Sequence, residues 1–153
     1  MKALVAIAVE AGSGSGYPEP FRSCVLPREK RALGDAFGLT SIGVSLTVLH
    51  PGVESSMRHW HDREDELIYL LEGELVLRTN DGEEPLQAGM VVGFKAGDRD
   101  AHQFVNRSDR PATYLEISNR DAADVCVYPD VDLAYGFDAE GQRAFVHKNG
   151  TPY

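Results

Sequence analysis

The chain has 153 residues, 42% of them apolar and 25% charged, which suits one globular domain whose core needs no disulfide or metal staple. Its 24 acidic against 15 basic side chains leave a net charge of -9. That charge repels phosphate backbones, and no basic face with interleaved aromatics offsets it, so nucleic-acid binding is not expected. No apolar run approaches the roughly 20 residues of a membrane-spanning helix, so a membrane span is not expected either.

Lys2 precedes an apolar run from Ala3 to Val9, but Glu10 follows at once. A secretory signal is poorly matched, and the segment reads as a short strand or arm. Residues 11–16, AGSGSG, form a freely flexing linker. Residues 1–20 are thus expected to be an arm and linker ahead of a single domain over 21–153, packed from about Tyr17. The stretch PREKRALGD, Pro27 to Asp35, is the one candidate for a helical turn. Its basic residues Arg28, Lys30 and Arg31 read as solvated surface.

From Gly38 onward, short runs rich in Val, Ile, Leu, Thr and Tyr are divided by Gly, Pro, Asn and Asp clusters, the rhythm of an all-β sandwich or barrel. Strands are predicted near Thr40–Leu49, Met57–His61, Glu66–Leu71, Glu74–Thr79, Met90–Phe94, Ala101–Asn106, Ala112–Ser118 and Val125–Tyr128. Asn80-Asp81-Gly82 predicts a tight hairpin, because these residues tolerate positive φ. Cys24 and Cys126 have no C-x-x-C partner and read as free thiols of a reducing cytoplasm.

Chemistry concentrates in HWHDREDELIYLLEGEL, from His59 to Leu75. Residues two apart on a strand share a face, so His59 and His61 can present imidazole nitrogens to one point. A turn over Asp62–Asp65 returns the carboxylate of Glu66 to that point. Two histidines and a carboxylate leave coordination positions open for substrate or dioxygen. His102, on a later strand that also points Phe104 and Asn106 to one face, is a fourth ligand candidate. His50 and His147 lack partners at ligand spacing and read as hydrogen-bonded or surface residues. Asp62, Glu64 and Asp65 read as turn and solvent groups, and Trp60 and Tyr69 point to the opposite face, for packing. Asn106 suits either a buried hydrogen-bond network or the orientation of a metal ligand. Lys95 and Arg107 are candidates for recognising an anionic substrate group, with a solvated surface role as the alternative.

This pattern resembles the cupin superfamily over residues 38–120. Gly52, His59, His61, Glu66 and Gly73 fill the places of its first motif; Gly89, Gly97, His102 and Asn106 those of its second. Lys95 stands where that second motif has proline, and His102 follows Gly97 by two residues more than usual. The turn-forming stretch Asp98–Ala101 is expected to absorb the difference in a longer loop. The run AGDRDAHQFVNRSDRPATYLEI and the closing KNGTPY are similar to a group of small single-domain bacterial cupins, some provisionally labelled sugar-phosphate isomerases. The resemblance implies an all-β double-stranded β-helix, or jelly-roll barrel, and a homodimer. It also implies one divalent first-row transition metal, Fe, Mn, Ni or Zn, near the barrel centre, with His59, His61, Glu66 and His102 as its ligands.

The expected function is a metal-dependent enzyme on a small oxygenated molecule, carbohydrate-like or a carboxylic acid. Its metal would polarise a carbonyl or hydroxyl in isomerase, epimerase or lyase chemistry. A non-haem iron dioxygenase and a non-catalytic small-ligand-binding protein are the alternatives. No residue stands out as the general acid or base.

Overall fold

The computed structural model describes residues 2–153. Twelve strands follow one another: β1 (Arg28–Ala32), β2 (Ile42–Leu49), β3 (Trp60–His61), β4 (Glu66–Glu72), β5 (Glu74–Thr79), β6 (Gly82–Gln87), β7 (Val91–Phe94), β8 (Gln103–Val105), β9 (Ala112–Asn119), β10 (Cys126–Tyr128), β11 (Leu133–Phe137) and β12 (Arg143–Val146). They form three antiparallel sheets, ordered β1-β2-β9-β4-β7, β12-β11-β10-β3 and β6-β5-β8. The two smaller sheets meet where His59 and His102 exchange both backbone hydrogen bonds, at 3.0 and 2.8 Å. Two future site residues are therefore tied through their main chains before any side chain is considered.

Alternation along β4 decides which side chains face inward. Ile68 and Leu70 are buried while Leu67, Tyr69 and Leu71 are exposed, as period two on a one-sided sheet requires. One core cluster, including Leu49, Ile68, Leu70, Leu77, Phe104 and Tyr114, fills one part of the barrel. A second gathers Tyr17, Val25, Cys126, Tyr128 and Leu133. At Gly73 the chain turns with φ of 83°, and an added Cβ would lie 2.8 Å from the carbonyl oxygen of Pro111. Any side chain there would clash with backbone, which accounts for glycine at this position.

Several local expectations change. Ala3–Val9 holds a single 3-10 turn, Ala6–Ala8, rather than a strand. Within the linker, Gly12 pairs with Lys30 through two 2.9 Å backbone bonds. The expected helical turn over Pro27–Asp35 is instead strand β1 followed by one short turn, Leu33–Ala36. Helix-forming Glu and Lys yield here because β1 gains a full antiparallel ladder against β2, from Arg28↔Leu49 to Ala32↔Ser45. The hairpin after β5 forms, but only Gly82 has positive φ; Asn80 and Asp81 do not. Pro85 sits in β6, an edge strand, where its missing N–H costs no ladder bond. Strands β6, β11 and β12 were not expected from sequence. Among the described residues no helix is long and apolar enough to cross a membrane.

Candidate metal centre

A cavity of about 320 Å³ lies inside the barrel, and His59, His61, Glu66 and His102 all border it. Glu66 opens β4 opposite Ser118 and Phe94, on the inner face. Donor atoms of His59, Glu66 and His102 all lie within 4.8 Å of one another; His61 meets His59 and Cys126 at the same spacing. The ring centroids of His59 and His61 are 5.0 Å apart, and those of His59 and His102 are 4.7 Å apart. The extra residues before His102 do lengthen a loop, yet its backbone tie to His59 keeps the ring on the cavity wall.

Each ring is oriented by a different device. His59 donates from Nδ1 to the Met57 carbonyl at 2.9 Å, which turns Nε2 toward the cavity. His61 donates from Nδ1 to Asp124 Oδ2 at 2.8 Å, and the other oxygen of that buried carboxylate accepts backbone N–H groups of Arg63 and Glu64. A carboxylate behind an imidazole is the usual support of a metal-binding histidine, since it fixes the tautomer and raises ring basicity. His102 has no partner at its buried Nδ1. Its ring stacks on Phe94 with centroids 3.4 Å apart, and its Nε2 lies 2.7 Å from Glu66 Oε2. That short contact joins two ligand-type atoms through one proton, and both residues could hold a cation.

Electrostatics favour the ligand forms of His59 and Glu66. Burial, reinforced by the neighbouring His102 and His61, holds the His59 imidazolium pKa down to about 3, so the ring is neutral near pH 7. Burial by itself would raise the Glu66 carboxyl, but the hydrogen bond and charge of His102 outweigh it and hold it well below the usual carboxylate range. Neutral imidazole and ionised carboxylate are what a divalent cation needs. The residues present fit one, with His59, Glu66 and His102 in the tight group and His61 beside them.

Three further groups that sequence reading passed over line the cavity. Tyr17 and Tyr128 share a hydroxyl contact at 3.1 Å, and burial pushes both phenols and the Cys126 thiol upward, so all three stay protonated. Asp124 was also missed: it lies 63 positions from His61, and no spacing rule links them. Of the other candidates, Asn106 is completely buried but donates to the carbonyls of Leu49 and Arg110, both at 2.8 Å, and accepts from Ser108. It therefore closes a buried network at the loop before β9. Arg107 is clamped by Glu83 at 2.7 and 2.6 Å and does not border the cavity. Lys95 lines an adjacent cavity of about 220 Å³ that also touches Trp60, His61 and His102. His50 and His147 face Glu29 and Asp132, as surface histidines.

An all-β barrel with histidines and a carboxylate gathered on its inner wall defines a jelly roll whose cavity could hold a metal ion. The comparisons agree: the Cupin domain profile matches residues 45–118. A sugar phosphate isomerase from a cupin superfamily of Silicibacter pomeroyi is 41% identical, with a TM-score of 0.92 over 99% of this chain and 96% of its own. The chain belongs to the cupin superfamily. A provisionally named sugar phosphate isomerase from Acidithiobacillus ferrooxidans is 30% identical, with a TM-score of 0.72 over 82% of this chain and 80% of its own. The tetracenomycin polyketide synthase protein TcmJ of Streptomyces glaucescens is 37% identical over 75 residues, 49% of this chain and 48% of that protein. The match thus spans about half the length of this curated relative.

Proposed function

We propose that the cavity is the active site of a metal-dependent enzyme, holding one divalent first-row transition ion on His59, His61, Glu66 and His102. The observation that carries this reading is the meeting of His59, Glu66 and His102 donor atoms within 4.8 Å on a cavity wall. Bound there, the ion would supply Lewis-acid polarisation of a carbonyl or hydroxyl, as isomerase, epimerase or lyase chemistry requires. The chain's part is to hold the substrate in a space closed by Ile68, Phe104 and Tyr114 and to offer protonated hydroxyls from Tyr17 and Tyr128. A carbohydrate-like substrate is supported by the names of the two sugar phosphate isomerase relatives.

Metal-loaded protein incubated in D2O with a panel of aldose and ketose phosphates should exchange a carbon-bound proton with solvent, followed by proton NMR, without consuming oxygen. Oxygen uptake dependent on ferrous iron would replace this reading with a dioxygenase. Saturable binding with neither exchange nor turnover would replace it with a binding protein.

The chain is also proposed to pair as a homodimer through the outer face of the β1-β2-β9-β4-β7 sheet. Leu67, Tyr69, Leu71 and Val91 stand exposed there, on neighbouring strands β4 and β7. Contiguous apolar surface of this kind marks an interaction face. Light scattering behind size exclusion should give twice the chain mass, and a monomer mass would exclude the pairing.

A further inference from the structure

Two permanent cations border the cavity, Arg28 and Lys30. Both come from β1, the strand whose composition reads as helix or solvated surface. Register carries them inward: Lys30 pairs with Thr47, which pairs with Tyr114, which pairs with Leu70. Arg28 is two residues along the same face, which is the inner face that also carries Glu66 and Ile68.

The two cations differ in what holds them. Lys30 Nζ is neutralised by Glu116. Arg28 donates to the Ser55 carbonyl at 2.9 Å, while its Nε is closed off from water with no acceptor. Among the described residues no carboxylate lies within the 4.0 Å of an ion pair with it. A guanidinium that borders a cavity with no carboxylate beside it is a costly uncompensated charge, and its terminal N–H groups call for an anionic partner. On a chain of net charge -9, general attraction does not draw anions in, so an anion that enters needs a local counter-charge.

We infer that Arg28 is the specificity residue of this cavity, binding the carboxylate or phosphate group of a small anionic substrate whose other oxygens face His59 and Glu66. The planar guanidinium presents parallel N–H groups that match either oxyanion two at a time, which a lysine ammonium cannot do. The inference deepens the proposed function and rests on it for the second contact. It narrows the substrate class to molecules with an anionic group at one end and hydroxyl or carbonyl oxygens at the other.

The test titrates the metal-loaded full chain with inorganic phosphate and with malonate, by calorimetry, and repeats both titrations on Arg28→Gln and Arg28→Lys. Metal content and melting temperature are measured on the same samples. Saturable binding of at least one anion is expected in the native protein, weakened ten- to a hundredfold in Arg28→Gln with its metal content unchanged. Arg28→Lys should fold if Arg28→Gln does not, and should also bind at least several-fold more weakly, since charge without the fork is not enough. The anion with the larger loss tells phosphate from carboxylate recognition. Anion affinity within twofold of native in a folded Arg28 variant, or no saturable binding of either anion to the native protein, overturns the assignment. Metal absent from the native protein, with Arg28-dependent anion binding retained, would overturn the metal reading and leave this one standing.

Discussion

Glu66→Gln protein, purified without added metal, is expected to hold less than a tenth of the first-row metal found in the native chain, where elemental analysis should give about one equivalent. Glu66 is the carboxylate in the tight donor group with His59 and His102, so its amide replacement removes that group's negative charge. A neutral amide oxygen is a weak ligand for first-row transition ions, which prefer imidazole and carboxylate here. His102→Ala should lose metal comparably, since its Nε2 is the atom 2.7 Å from Glu66 Oε2. Asp124→Asn forms a graded control. It leaves all four candidate ligands in place but gives His61 Nδ1 a neutral partner, for an expected 10- to 100-fold fall in metal affinity. Full occupancy in Glu66→Gln would remove Glu66 from the ligand set, and with it the proposed chemistry. Full occupancy in His102→Ala alone would reduce the set to the three residues nearest the His-x-His motif.

Phe104→Ala is expected to cost about 3–5 kcal/mol of stability, the range for emptying a large aromatic site in a packed core. Phe104 is 3% exposed and touches three parts of the fold at once: Tyr114 at 6.0 Å, Phe94 at 6.1 Å and His102 at 6.3 Å between ring centroids. At roughly 2–4 °C per kcal/mol for a chain of this size, the melting temperature should fall by about 6–20 °C. Set against a usual total of about 5–15 kcal/mol, that loss is large. Melting curves in excess chelator separate the packing term from any metal stabilisation, and Phe104→Leu should recover most of it because less volume is lost. A shift under about 2 °C in chelator would show that the ring is not a load on the barrel. The same variant also loosens Phe94, whose face supports the His102 ring, so metal affinity should weaken beyond the stability change.

Much of the fold was open to reading along the chain. The strand read near Glu66–Leu71, with Glu66 turned to the site and Tyr69 to the opposite face, matches β4, because a period of two is written into any strand with one face in the core. The metal candidates were legible for a similar reason. His59, His61 and Glu66 lie within eight consecutive residues, so local geometry nearly brings them together. His102 was singled out as a ligand candidate on its own strand and by motif resemblance, and the main-chain bridge to His59 keeps it on the cavity wall despite the longer loop.

What the amino-acid sequence determined by itself was the all-β character, the inward faces of the central strands and the chemical type of the site, since each follows from periodicity or from residues close in the chain. Only the tertiary structure decided that Arg28 and Lys30 face the cavity, that Asp124 stands behind His61, that Arg107 is bound by Glu83, and that Asn106 serves the loop before β9. Local propensity speaks for a residue's own neighbours along the chain. A charged edge strand, or a carboxylate 63 positions from the imidazole it supports, takes its place from pairing energies between distant segments, and those are settled only when the barrel closes.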